Sequence, residues 1–121
     1  EIGKGTVIFH NVILQVDSKV GNHVILNSGA SIDHECSLGD YVHISPQATL
    51  CGNVRIGEGT QIGAGATILP GIKIGVWATI GAGAVIIKYV PDFAIVVGNP
   101  GRIIRYYEPV NNKFWPFGES Y

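Results

Sequence analysis

The segment SIDHECSLGDYVHIS, residues 31–45, gathers side chains that can do acid–base chemistry: His34 and His43, the acids Asp33 and Glu35, and Cys36. A histidine beside a carboxylate can take a proton near neutral pH while the acid keeps the other ring nitrogen protonated, which is what a group transfer asks of its general base. The same pair is also an ordinary feature of a solvated surface. What decides is whether the surrounding sequence fixes where these residues point.

It does so through a repeat. Glycine fills 17 of the 121 positions, a frequency that signals either disorder or a repeating architecture. Stepping by six from Ile2 through Ile8, Leu14 and Val20 to Ile80 and Ile86 meets an aliphatic residue every time. Four residues after each stands a small or β-branched uncharged one, from Thr6 to Val90. Neither the helical period of 3.6 nor the strand period of 2 gives this register; a short strand followed by a corner does. Such units bury their aliphatic face only by stacking, so the chain is expected to wind into a parallel β-helix. Fifteen hexads at three per coil predict an all-β prism of about five three-sided coils, roughly 24 Å tall at ~4.8 Å per rung. The repeat domain covers residues 1–91. Residues 92–105, with a Gly-Asn-Pro turn, read as a closing segment over the last coil, and 106–121 as a tail. The tail holds Tyr106, Tyr107, Phe114, Trp115, Phe117 and Tyr121, and aromatics this dense are expected to pack on the prism or on a neighbouring subunit.

Composition removes several classes of function. With a net charge of −1 and only 14% charged residues, no basic field exists to hold nucleic acid or an anionic membrane. The aliphatic runs are too short to cross a bilayer, and no basic-then-apolar leader opens the chain. Cys36 and Cys51 form neither a disulfide framework nor a zinc-type pair, so a reducing cytoplasm is the expected compartment.

The hexads IGEGTQ and IGAGAT at 56–67 resemble those of the left-handed β-helix acyltransferases, and the resemblance supplies the hand of the winding, which periodicity does not. The run DHECSLGDYVHISPQATLCGNVRIGEG, followed by IGAGATILPGIKIG and the closing VVGNPGRII, is similar to the acetyl-CoA-dependent nucleotide-sugar acetyltransferases of the sialic-acid and bacillosamine pathways. This resemblance covers about residues 1–105. It implies that His34 is the general base and that Glu35 polarises it. It further implies that acetyl-CoA lies in a groove between subunits of a homotrimer, and that His43 matches a second histidine contacting cofactor or acceptor.

The repeat offers its own check, because residues eighteen apart stand one above the other and His34 therefore lies under Gly52. A glycine there presents a backbone N–H that no side chain hides. Acetyl transfer from a thioester needs a base for the attacking amine or hydroxyl and a donor for the oxygen that becomes negative. His34 and the Gly52 amide fit those two roles, with Glu35, or alternatively Asp33, orienting the ring. The small residues Ala64 and Ala82 in the upper coils would let a pantetheine arm lie close to the backbone. Lys88, Arg102 and Arg105 are equally cofactor-phosphate ligands or plain solvated cations. His10 and His23 read as structural or surface residues, Cys36 as a core thiol, and Cys51 as an accessible thiol with no group to activate it.

The same fold hosts a trimeric zinc carbonic anhydrase with two histidines five apart. No two of His10, His23, His34 and His43 have that spacing, so no metal is expected. Family members carry an N-terminal α/β domain for the nucleotide-sugar, whereas this sequence starts in the repeat. Either that domain is absent or these residues are the β-helical portion of a longer protein. The expected function is acetyl-CoA-dependent acetylation of an amine or hydroxyl of a sugar, nucleotide-linked, by direct transfer. Another small acceptor, such as an amino acid or antibiotic, and a silent trimeric scaffold remain the alternatives.

Overall fold

The computed structural model describes residues 1–108 and the backbone course of the strand Lys113–Pro116. From Val7–Ile8 to Val85–Ile86, two-residue strands recur every six residues. From Val7–Ile8 to Thr67–Ile68 each pairs in parallel with the strand eighteen residues on, as in Val7 with Ile25, Lys19 with Ser37 and Ser31 with Thr49. The result is the expected three-sided parallel β-helix of the left-handed class.

In every strand the second residue points inward. From Val20 to Ile86 these aliphatic side chains are at most 4% exposed, forming one column per side that runs the length of the core. Burying each one contributes about 1.5–3 kcal/mol. The first residue of each strand points outward, and the three outward columns differ. One side presents Lys19, Ser37, Arg55 and Lys73; a second presents Ile13, Ser31, Thr49, Thr67 and Val85; the third presents Val7, Ile25, His43, Gln61 and Thr79. We call these the basic, the hydroxyl and the histidine side.

The corners turn because one residue in each adopts the left-handed conformation: Asp17, Glu35 and Asn53 (φ 61°, 59° and 60°) between the hydroxyl and basic sides, and Gly65 and Gly83 (68° and 70°) between the histidine and hydroxyl sides. The next residue fills the inside of the corner, and where it carries a hydroxyl it ties adjacent coils together. Thr60 Oγ1 donates to the Gly75 carbonyl (2.6 Å) and accepts from the Ala78 amide (3.0 Å); Ser18 does the same with Asp33 and Cys36. Neither buried hydroxyl is thereby left unpaired.

The ends depart from the simple repeat. Ile2 and Ile8 hold the inward register yet are 50% and 43% exposed, since no rung lies beneath the first coil to cover them. At the other end the last coil is two residues short: Thr79 pairs with Ile95 and Ile80 with Val96. The strand Ala94–Val97 thus continues the histidine side. After the turn the strand Arg102–Glu108 returns antiparallel over it, burying Ile103 and packing Tyr106 on the core. Tyr107 donates its amide to the Phe93 carbonyl (2.8 Å), and Lys113–Pro116 pairs in turn with residues 105–108. Phe117 and Tyr121 lie outside the described residues. Among the described residues no helix is long and apolar enough to cross a membrane.

Candidate active site

His34 and Glu35 sit at the corner between the hydroxyl and basic sides, just after the strand Ser31–Ile32. Both side chains are more than half exposed, and Glu35 Oε1 lies 3.2 Å from Nδ1 of the imidazole. Asp33 points back to the main chain, where its Oδ1 accepts the backbone N–H of His34 at 2.7 Å. Of the two acids, the ring meets Glu35.

One coil above, Gly52 is buried against the imidazole. A Cβ at this position would come within 2.8 Å of His34 Cε1 and 2.9 Å of Nε2, so only glycine lets the ring lie flat on the backbone. The Gly52 amide has no acceptor among the described residues, whereas the Gly52 carbonyl accepts from Gly71 and the His34 carbonyl from Asn53. With Glu35 on Nδ1, the nitrogen facing Gly52 is Nε2, the one free to take a proton. Around the pair, Asp33, Cys51, Asn53, Pro70 and Gly71 line an open groove along the corner.

The remaining predicted residues lie elsewhere on the prism. Ala64 and Ala82 are at the corner between the histidine and hydroxyl sides, so they cannot line the His34 groove within one prism; the hydroxyl side separates the two corners. His43 points outward from the histidine side, between Ile25 and Gln61. Its Nε2 is buried with no hydrogen-bond partner among the described residues, a state that a donor or acceptor from another molecule would relieve. Lys88 follows the strand Val85–Ile86 in the shortened last coil, above the same corner as His34 and about three coils or 14 Å from it. There Lys88 and Arg102 line a second cavity with Ile86, Val96 and Ile103.

Cys36 is buried, and its thiol donates to the Cys51 carbonyl (3.2 Å). Burial pushes its pKa above the ordinary value, outweighing the backbone hydrogen bond at Val54 that lowers it. It is a core thiol. His10 is exposed, and His23 stacks on Tyr41 with ring centroids 5.3 Å apart. Tyr41 and the acids Asp40 and Asp92 stand outside the residues predicted for the site. Asp40 accepts the amide of Asn22 and Asp92 that of Val76, each at 2.8 Å. His23, Tyr41 and Trp77 stand at multiples of eighteen residues, the sequence signal that their rings share one corner.

Residues 53–88, the upper coils of the prism, match the bacterial transferase hexapeptide (six repeats) model. The solved structures similar to it are more particular. The acetyltransferase domain of PglB from Neisseria gonorrhoeae is 44% identical over 84% of this chain and 50% of its own, with a TM-score of 0.84. A variant of perosamine N-acetyltransferase from Caulobacter crescentus, solved with CoA and GDP-perosamine, is 36% identical over 84% and 49%, with a TM-score of 0.84. WeeI from Acinetobacter baumannii is 36% identical over 84% and 47%, with a TM-score of 0.68. The prism is thus similar to the hexapeptide-repeat part of these acetyltransferases. The chain spans about half the length of these proteins. No curated protein matches it significantly.

Proposed function

We propose that this chain carries the catalytic prism of an acetyl-CoA-dependent N-acetyltransferase acting on an amino group of a nucleotide-linked sugar. One observation carries the reading: His34 lies on the bare backbone of Gly52 with Glu35 on its far nitrogen. His34 Nε2 takes the proton from the attacking amine, and Glu35 fixes the tautomer and stabilises the imidazolium as it forms. The Gly52 amide donates to the thioester oxygen as it gains charge. The amine then adds to the thioester carbon, the C–S bond breaks, and CoA leaves as its thiolate. The choice of an amine over a hydroxyl, and of a nucleotide-linked sugar, is supported by the perosamine N-acetyltransferase likeness. The compartment consistent with this chemistry is the cytoplasm.

The outward columns support a homotrimer. The basic side carries Lys19, Arg55 and Lys73, whereas the hydroxyl and histidine sides carry no charge in their outward columns and expose Ile13, Val7 and Ile25. Two uncharged sides meeting at one corner suit burial against two neighbours about a threefold axis, leaving the basic side in water. Three prisms meeting at their Ala64–Ala82 corners would enclose a wedge between the hydroxyl side of one and the histidine side of the next. His34 then edges one wall and the neighbour's copy of His43 stands on the other. The cofactor runs up this wedge from Gly52, and Arg102 and Lys88 hold its phosphates at the far end.

The test is direct. Acetyl-CoA binding is measured by calorimetry, and transfer to a nucleotide-linked amino sugar by mass spectrometry, for wild type and His34→Ala. Wild type should bind and transfer. The variant should bind comparably and turn over roughly two to four orders of magnitude more slowly. Absence of binding in wild type, or equal turnover in both, would sink the reading.

A further inference from the structure

The corner between the basic and histidine sides carries side chains that acetyl transfer leaves unused. Its left-handed position is filled, coil by coil, by Gly5, His23, Tyr41, Gly59, Trp77 and Phe93, with φ between 52° and 73°. At the other two corners every left-handed residue is Asn, Asp, Glu, Gln or Gly. Short polar residues and glycine accept this backbone readily, and bulky rings do not. Rings confined to one corner therefore point to a use for what they present outward.

The rings lean one coil toward the N-terminal end. His23 lies over Gly5, where a Cβ would run into the imidazole; Tyr41 stacks on His23 with an interplanar angle of 15°; and Trp77 lies over Gly59, where a Cβ would run into the indole. The ladder breaks at Gly59, which has no side chain to lie on Tyr41. Tyr41 and Trp77 are accordingly 54% and 48% exposed. They stand two coils apart, about 9.6 Å. One further ring fits between them at stacking separations of roughly 4.5–7 Å on each face. Asp40 and Glu58 precede Tyr41 and Gly59 in the chain, Asp40 with its carboxylate turned one coil down to the Asn22 amide and Glu58 exposed. They repel an anion and accept from O–H and N–H donors.

We propose that this break is a subsite for a carbohydrate, holding one pyranose ring between Tyr41 and Trp77 while Glu58 accepts from its hydroxyls. The inference goes beyond acetyl transfer: within one prism the subsite shares no residue with the His34 groove, and in the proposed trimer it stands on the outer rim of the wedge, across from the neighbour's copy of His34.

Saturation-transfer NMR tests it, with N-acetylglucosamine, chitotriose and maltotriose as probes. Irradiating the aromatic protons should transfer saturation to the ring protons of at least one probe, with affinity near millimolar. Tyr41→Asn, Trp77→Asn and Gly59→Asn should each weaken that binding about tenfold or more, the first two by removing a wall and the third because its Cβ would push the Trp77 indole out of place. Asparagine tolerates the left-handed corner, so the melting temperature should hold or rise in Tyr41→Asn and Trp77→Asn. His34→Ala should leave the sugar signal unchanged, which separates failure here from failure of the catalytic reading. The proposal is overturned by silence from all three probes in wild type, by a signal that survives both ring removals, or by stronger binding of uridine or adenosine than of any sugar.

Discussion

Glu35, not Asp33, reaches the His34 ring, and it does so from a left-handed backbone (φ 59°) that swings its carboxylate to 3.2 Å from Nδ1. Asp33 is held by the backbone N–H of His34. The two acids should therefore separate by experiment. Glu35→Gln removes the charge facing the imidazolium and should lower turnover by about tenfold or more with little change in stability. Asp33→Asn keeps an acceptor for the amide and should be nearly silent, while Asp33→Ala should lower stability by about 1 kcal/mol and spare turnover. Steady-state kinetics beside thermal melts would show it; a larger turnover loss from Asp33→Ala than from Glu35→Gln would reverse the assignment.

Gly52→Ala isolates the contact between coils. The new methyl group would fall 2.8–2.9 Å from the imidazole, so the ring must swing off the backbone. Gly52 is not in the left-handed region, so the corner itself accepts alanine. Turnover should fall by roughly a hundredfold while the melting temperature moves by only a few degrees. A fully active Gly52→Ala would show that the imidazole need not lie where it does.

The contrast between the sides makes assembly testable. Thr49→Lys and Thr67→Lys place a charge on the hydroxyl side and should dissociate a trimer, whereas Ser37→Lys adds one to the already basic side and should not. Light scattering at micromolar concentration reads the mass. A monomeric wild type, or equal effects of the three substitutions, would contradict the arrangement.

Cys36 gives a pH dependence of known sign. Its folded pKa is raised, so its contribution to stability is fully present below the ordinary thiol value and is lost as the pH rises from there through the folded value, because the unfolded chain releases its proton first. Denaturant melts should show stability declining on the alkaline side of that range. Cys36→Ser should remove this component while keeping a donor for the Cys51 carbonyl, as Ser18 and Thr60 already do at their corners. An identical alkaline decline in both proteins would assign it to other groups.

The six-residue register was legible because every inward residue from Val20 to Ile86 repeats one requirement, an aliphatic side chain facing a narrow core. Stacking at eighteen residues then brought His34 under Gly52 by counting alone. Counting could not say which acid meets the ring, because that depends on a left-handed backbone at Glu35 which non-glycine residues seldom adopt. It also placed Ala64 and Ala82 without regard to corner, and they proved to be one side away from His34. The shortened last coil escaped notice because Ala94–Val97 joins the histidine side by pairing with Thr79–Ile80, a tertiary contact that leaves no periodic trace.

The constant offset of eighteen between stacked residues makes the chain behave like a message with a reading frame. Inserting a whole coil between two rungs would lengthen the column and leave all other neighbours as they were. Deleting a single residue between His34 and Gly52 would instead act as a frameshift. Within the one coil that spans the deletion, residues would slip one place against those below, inward aliphatics would trade places with outward residues, and His34 would no longer lie under Gly52.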